Sequence, residues 1–175
     1  RRGMDAARAS GDRCAAGAGA ADALVVGGTN SNDSLTVAAT TGTVTLVSQL
    51  GSHVALLQTG VETLTLDALD GDDTFNVAGP QPSTTINLLA GSPSASDVAN
   101  LTGDATAMTV TLAIIPVSTT DATVTGGGLG TVNLSGVETT NVSNGAGAIT
   151  VQGEDGNDTL NVTTSVPTPI VPVSG

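Results

Sequence analysis

A short theme that recurs along the chain constrains its fold more than any other feature. Each copy begins with Asp, places an apolar residue two positions later, continues with Thr or Asn, and ends on Val or Leu. Because side chains alternate between the two faces of a strand, this spacing predicts strands that bury one face. The recurrence further predicts that these strands stack on one another. The four copies are DSLTV from Asp33, DTFNV from Asp73, DVANL from Asp97 and DTLNV from Asp158.

Two further signals also occur twice, in the same order relative to the Asp theme. Together with the theme they divide the chain into two predicted repeat units, residues 24–90 and 91–165. The distance between matching signals differs from one signal to the next, which indicates insertions in the loops between fixed strands. The signals are GTV, from Gly42 and Gly130, and GVET, from Gly60 and Gly136.

The segments between the turns predict an all-β protein. Short runs alternate apolar side chains with Thr or Asn, and Gly, Asp, Asn or Pro separate the runs. The chain has one Phe and neither Tyr nor Trp, and small aliphatic cores suit strands that stack closely in successive coils. We therefore expect a parallel β-solenoid, similar to a β-helix or β-roll, of two imperfect repeat units, with a β-sandwich as the alternative. The predicted strands begin at Thr43, Val61, Asp73, Thr84, Met108, Thr131, Ile149 and Asp158.

Both ends of the chain depart from this pattern. Residues 1–23 are rich in Gly and Ala, and we expect them to form a disordered lead-in. Residues 166–175 contain three prolines, which favour an extended linker. Cys14 lies in the lead-in and, as the only cysteine, cannot form a disulfide within the chain.

The charge of the chain excludes several classes of partner. The formal net charge is −12, and all four cationic residues lie within the first 13 positions. Binding to nucleic acid or to an anionic membrane surface needs a cationic footprint, which the rest of the chain lacks. Phosphoryl transfer loses its usual Lys and Arg for the same reason. Polar residues punctuate the chain too evenly to predict insertion into a membrane.

Half of the acidic residues after position 13 fall in two turns. Four lie between Asp67 and Asp73 and three between Glu154 and Asp158, with no basic residue near them in sequence. Like charges about 4 Å apart repel by roughly 1 kcal/mol in water and by more near a protein surface. Either solvated turns screened by salt or a bound divalent cation would relieve this repulsion.

The second acidic turn resembles a known calcium-binding repeat. The segment GEDGNDTLN, from Gly153, is similar to the hemolysin-type nonapeptide of RTX proteins, G-G-x-G-x-D-x-U-x, and ALDGDDTFN, from Ala68, is a weaker match. In that family the Gly-rich half forms a turn whose carbonyls join the Asp carboxylate around Ca²⁺. The resemblance implies Ca²⁺ as a cofactor, with Asp73 and Asp158 as carboxylate ligands. The full set of predicted metal ligands is Asp70, Asp72, Asp73, Asp155, Asn157 and Asp158.

The segments GVETLTL and GDDTFNV also resemble the looser β-strand repeats of very large bacterial surface and secreted proteins. That resemblance implies a non-catalytic structural or adhesive segment, outside the cell or at its surface. The expected partners are neighbouring repeats of the same protein, or cell-surface and glycan molecules.

Two other functions stay open. A carbohydrate-binding or polysaccharide-lyase-like β-helix would hold a sugar through acidic turns and Ca²⁺, although no Tyr, Trp, Lys or Arg follows residue 13 to stack on the sugar or catalyse its cleavage. An ice-binding solenoid would instead use a ladder of Thr-x-Thr pairs. Such pairs begin at Thr43, Thr63, Thr109 and Thr123, and their uneven spacing predicts no regular ladder.

Overall fold

Strands are the regular elements of the fold. A computed structural model describes residues 14–15, 21–49, 51, 53–92, 96–112 and 121–153, and every helix or strand assigned in these ranges is a strand, which confirms the all-β prediction. The same ranges contain no helix that could cross a membrane. The strands are β1 (Cys14–Ala15), β2 (Ala23–Gly27), β3 (Asp33–Val37), β4 (Val44–Ser48), β5 (His53–Leu56), β6 (Gln58–Thr59), β7 (Thr63–Asp67), β8 (Thr74–Ala78), β9 (Thr85–Leu89), β10 (Val98–Thr102), β11 (Met108–Leu112), β12 (Ala122–Gly126), β13 (Thr131–Ser135), β14 (Thr139–Ser143) and β15 (Ile149–Gln152).

Two sheets contain most of these strands. The six-stranded sheet has the order β14-β10-β8-β3-β4-β5, and the seven-stranded sheet has the order β15-β11-β12-β13-β9-β7-β2. The short strands β1 and β6 form a separate parallel pair. From β7 to β11 the chain changes sheet at every step, so that β7 and β9 become neighbours in one sheet while β8 and β10 become neighbours in the other.

Each sheet combines a parallel ladder with an antiparallel hairpin. The strands β3, β8, β10 and β14 are parallel neighbours in the six-stranded sheet, as are β2, β7, β9 and β13 in the seven-stranded sheet. The strands β4 and β5 extend the first ladder by antiparallel pairing, and β12 and β11 extend the second. The sheets are therefore mixed rather than wholly parallel, and the alternative β-sandwich describes them as well as a solenoid does.

The two sheets share one hydrophobic core. Its buried members run from Leu24 to Leu134 and are almost all Leu, Val, Ile and Ala. The single aromatic residue, Phe75, is fully buried on β8, and its cross-strand partners are Leu35 and Ala99. Residues of both predicted repeat units contribute to this core, and β9 pairs with β13 across the boundary between units 24–90 and 91–165.

The repeated GVET signal forms a turn before a strand in both of its copies. Gly60 and Gly136 have φ angles of 70° and 74°, in the left-handed region that glycine enters without steric cost. The first copy leads into β7 of the seven-stranded sheet, whereas the second leads into β14 of the six-stranded sheet. The same sequence signal therefore marks equivalent turns on opposite sheets.

Candidate functional site

A row of acidic residues stands where the parallel strands of the six-stranded sheet begin. We call Asp33, Asp73, Asp97 and Glu138 the carboxylate ladder. A carboxylate oxygen of Asp73 accepts the backbone N–H of Asp33 at 2.7 Å, and one of Asp97 accepts that of Asp73 at 2.7 Å. Glu138 completes the series by accepting the backbone N–H of Asp97 at 2.8 Å. The carboxylates of Asp73, Asp97 and Glu138 thus each connect their own strand to the neighbouring strand of the ladder.

The two central members of the ladder are inaccessible to solvent. Asp73 and Asp97 are each 0% exposed, and the second carboxylate oxygen of each has no hydrogen-bond partner in the described part of the chain. Asp33, which ends the ladder, is 4% exposed and accepts hydrogen bonds from the backbone N–H and the hydroxyl of Thr29. A buried carboxylate oxygen without a hydrogen-bond partner lowers stability. The electrostatic cost of the ladder is therefore greatest at its centre, at Asp73 and Asp97.

The surroundings of the ladder favour the protonated form of its central carboxyls. Burial raises the pKa of Asp73 from its ordinary value of 3.8 to about 6, the nearby charges of Asp97, Asp33 and Asp72 add to the rise, and the hydrogen bond from the Asp33 N–H opposes it. Burial likewise raises the pKa of Asp97, and Glu138 and Asp72 act in the same direction. At neutral pH Asp73 therefore holds a charge that its surroundings disfavour.

The predicted metal ligands separate into different environments. Asp70 and Asp72 are exposed, and the backbone N–H of Asp72 binds the side-chain oxygen of Asn32 at 3.1 Å. Asp73 is buried in the carboxylate ladder. Within the described ranges no group of three or more His, Cys, Asp or Glu side chains is arranged to hold a metal ion. The other three predicted ligands, Asp155, Asn157 and Asp158, lie outside the described residues.

Sequence reasoning recognised parts of the ladder without recognising its role. Asp33 and Asp97 begin two copies of the Asp theme, yet neither was expected to act with Asp73. The signal that joins them is positional, because each precedes the same alternation of buried residues on adjacent strands. Glu138 takes the equivalent place on β14, where it belongs to the GVET signal instead.

Neutral side chains occupy the opposite crossings, where the chain returns to the seven-stranded sheet. We call Gln58, Ser83 and Asn144 the amide edge; all three are buried. The Gln58 side chain donates to the carbonyl of Gly42 at 2.9 Å and accepts from the Ser83 hydroxyl at 3.3 Å. The Asn144 side chain accepts one backbone N–H and donates to two backbone carbonyls, those of Ala105, Thr106 and Ala148 respectively.

The threonine pairs are more regular than their spacing in the sequence predicts. The pairs that begin at Thr63, Thr109 and Thr123 all lie on the outer face of the seven-stranded sheet, because the alternate residues of their strands are buried. The hairpin of β11 and β12 accounts for the uneven spacing, since it places two pairs side by side. The Thr-x-Thr pairs themselves form no continuous ladder, because β13 and β9, which lie between β12 and β7, carry Thr-x-Asn at these positions.

Comparison with known proteins finds no family model, no curated protein and no solved structure that matches this chain.

Proposed function

We propose that this chain is a non-catalytic structural segment of a larger secreted or cell-surface protein, with an adhesive or spacing role. The carboxylate ladder is the observation that carries the proposal. Its buried polar groups are engaged in holding the backbone of neighbouring strands, because Asp73, Asp97 and Glu138 each accept one N–H from the adjacent strand. Side chains used in this way hold stacked strands together and are not arranged to act on a substrate.

Within this proposal the architecture is a two-sheet β-solenoid into which hairpins have been inserted. The parallel ladders support it, since successive strands of one sheet pair without a shift in register over all five residues of β8 and β10. Asparagine side chains also follow the ladder: Asn100 donates to Asn76, and Asn141 donates to Asn100, both at 2.9 Å. Ladders of identical side chains in register are a feature of stacked strands.

The charge of the chain supports a solvent-exposed segment whose neighbours are repeats of the same protein. After residue 13 every charged side chain is acidic, which favours solubility and disfavours nucleic acid and anionic membranes. The proposed partners are neighbouring repeats of the parent protein, with glycans or other surface molecules as further candidates.

Calcium is a second element of the proposal, as a stabiliser of acidic turns. The unpartnered carboxylate oxygens of Asp73 and Asp97 support it in part, because hard cations prefer oxygen ligands and no Lys or Arg follows residue 13. The described residues do not themselves complete a metal site. A cation bound only by the folded chain would raise its stability in proportion to the logarithm of the cation concentration.

Thermal melting followed by far-UV circular dichroism tests both elements. The shared core predicts one cooperative transition for the whole chain, and bound calcium predicts a midpoint that rises between EDTA and millimolar CaCl₂ but not with equal MgCl₂. An unchanged midpoint would remove calcium and leave the structural role intact. Cleavage of a soluble acidic polysaccharide would instead overturn the non-catalytic role in favour of the lyase-like alternative.

A further inference from the structure

The outer face of the seven-stranded sheet carries two rows of polar side chains that are in register from strand to strand. On five strands the row residues alternate with buried apolar ones, which places them on the solvent side. On β15 all four residues are exposed, and strand register aligns Thr150 with Thr109 and Gln152 with Thr111. No charged or aromatic residue belongs to either row. The first, which we call the threonine row, contains Thr63, Thr85, Thr131, Thr125, Thr109 and Thr150 in spatial order. The second, which we call the mixed row, contains Thr65, Asn87, Asn133, Thr123, Thr111 and Gln152.

Strand register aligns the threonine row across the sheet. Thr131 lies opposite both Thr85 and Thr125, and Thr109 lies opposite both Thr125 and Thr150. Neighbouring strands are about 4.8 Å apart, and side chains two residues apart on one strand are separated by about 6.7 Å. The two rows therefore form a two-dimensional lattice of short polar groups.

The mixed row is fixed by hydrogen bonds among its own members. Asn133 donates to Asn87 at 2.9 Å, Asn87 donates to Thr65 at 3.2 Å, and Thr123 donates to Asn133 at 3.3 Å. The hydroxyls of the threonine row have no hydrogen-bond partner within the described part of the chain. An ordered row thus stands beside a row of hydroxyls whose donors and acceptors remain available to an external partner.

The outer face of the six-stranded sheet has a polar row like the mixed row, which includes Asn141, Asn100 and Asn76, but no continuous counterpart of the threonine row. Its row equivalent to the threonine row contains Ser34, Thr74 and Thr139, but Val47 and Val98 interrupt it. The two faces have the same strand spacing and different chemistry. The six-stranded sheet therefore supplies an internal control for any function of the threonine row.

The chemistry of the lattice selects among partners. Without cations it does not suit phosphate, and without aromatic rings it offers no stacking surface for sugars. Each threonine presents one hydroxyl, which both donates and accepts, beside one methyl group, which does neither. A regular array of this kind is complementary to a partner that is itself a lattice of hydrogen-bonding oxygens.

We propose that the outer face of the seven-stranded sheet binds ice, with the threonine row and the mixed row ordering the water molecules that join the protein to the crystal. This inference goes beyond the structural role proposed above and does not depend on the carboxylate ladder. It requires only that the seven-stranded sheet is formed.

Growth of a single seed ice crystal in a solution of the full chain tests the proposal. The full chain is expected to shape the crystal into facets and to separate its freezing point from its melting point. Thr131→Lys, at the centre of the threonine row, is expected to reduce this separation several-fold. The matched variant Thr74→Lys, on the six-stranded sheet, is expected to retain it. Thr131→Val, which keeps the shape of the side chain and removes the hydroxyl, serves where the lysine variant does not fold.

Three results would overturn the proposal. The first is a full chain that affects ice no more than an equal concentration of albumin. The second is an equal loss in the Thr131 and Thr74 variants when circular dichroism shows both to be folded. The third is sedimentation with crystalline cellulose or chitin, lost in Thr131→Lys, in the absence of any effect on ice. That last result would assign the face to a polysaccharide surface instead.

Discussion

The carboxylate ladder and the amide edge perform the same task with different chemistry. Both occupy crossings between the sheets, and both bind backbone groups of neighbouring segments. A carboxylate can only accept, and Asp73 and Asp97 each keep one buried oxygen without a partner in the described structure. The amide of Asn144 both donates and accepts and makes three hydrogen bonds. A buried polar side chain at these crossings is therefore compatible with a stable fold when all its hydrogen bonds are made. The energetic cost at Asp73 and Asp97 arises from their charge.

The comparison predicts that exchanging amide and carboxylate moves stability in opposite directions at the two edges. The largest effect is expected for Asn144→Asp. This change replaces two donated hydrogen bonds by repulsion between a carboxylate and the carbonyls of Thr106 and Ala148. A buried, uncompensated charge typically costs about 3–5 kcal/mol. Urea denaturation at pH 7 would measure the loss.

The matched control for that change is Asn141→Asp. Asn141 is exposed and contributes one side-chain hydrogen bond, to Asn100. We expect it to lose less than about 1 kcal/mol. Equal losses at the two positions would mean that burial at the amide edge does not govern its stability.

The reverse exchange, Asp73→Asn, is expected to stabilise the protein at pH 7. The amide oxygen can still accept the N–H of Asp33, while the buried charge disappears. One unit of pKa shift corresponds to about 1.4 kcal/mol, so the upward shift of Asp73 predicts a gain of about 1–3 kcal/mol in the free energy of unfolding. Asp72→Asn, at an exposed neighbour, is the control and should change stability by less than about 0.5 kcal/mol. A loss of stability in Asp73→Asn would contradict the electrostatic account.

The wild-type protein is expected to become more stable as the pH falls from 7 to 5. The pKa of Asp73 is raised to about 6 in the folded chain against an ordinary value of 3.8, so the folded state binds more protons than the unfolded state in this window. Stability contributed by this proton is present near pH 4 and is lost as the pH rises through about 6. The expected gain from Asp73 is about 1.4 kcal/mol between pH 7 and 5. The raised pKa of Asp97 acts in the same direction.

Chemical denaturation across this pH range, repeated with Asp73→Asn, would separate the ladder from the other carboxyls. The variant is expected to show a weaker dependence on pH than the wild type. Parallel pH profiles for the two proteins would show that Asp73 does not titrate in this range.

The smallest effect is expected at the amide edge for Ser83→Ala. The variant loses the hydrogen bond from the Ser83 hydroxyl to Gln58, while Gln58 keeps its contact with Gly42. A single neutral hydrogen bond contributes about 0.5–1.5 kcal/mol. The loss should be equal at pH 5 and pH 7, since no charged group is involved. A loss that varies with pH would mean that the two edges are coupled.

Much of the strand structure could be predicted from local alternation. Seven of the eight strands predicted from the sequence correspond to strands of the structure, and the eighth, from Asp158, lies outside the described residues. The copies of the Asp theme at Asp33, Asp73 and Asp97 became adjacent strands in register. These predictions succeeded because burial of one face fixes both the period and the register of a strand.

The pairing and relative direction of strands distant in sequence could not be predicted from local alternation. The hairpin strand β12 runs antiparallel to both of its neighbours, β11 and β13, and local alternation is identical for parallel and antiparallel strands. For the same reason the regular threonine row was hidden by uneven spacing along the chain. The buried state of Asp73 was also invisible, because a Gly-Asp turn has the same sequence whether its carboxylate faces solvent or a neighbouring strand.

The two hairpins imply a rule of parity for how such a chain can lengthen. Each hairpin adds two strands that reverse direction twice, so β5 runs in the direction of β3, and β13 runs in the direction of β11. After β13 the chain enters β14, which still lies parallel to β10. An insertion of one strand would send every later strand the wrong way and break the parallel pairing, whereas an insertion of two leaves it unchanged. The number of strands can therefore change by two at a time without altering the parallel pairing of the remaining strands.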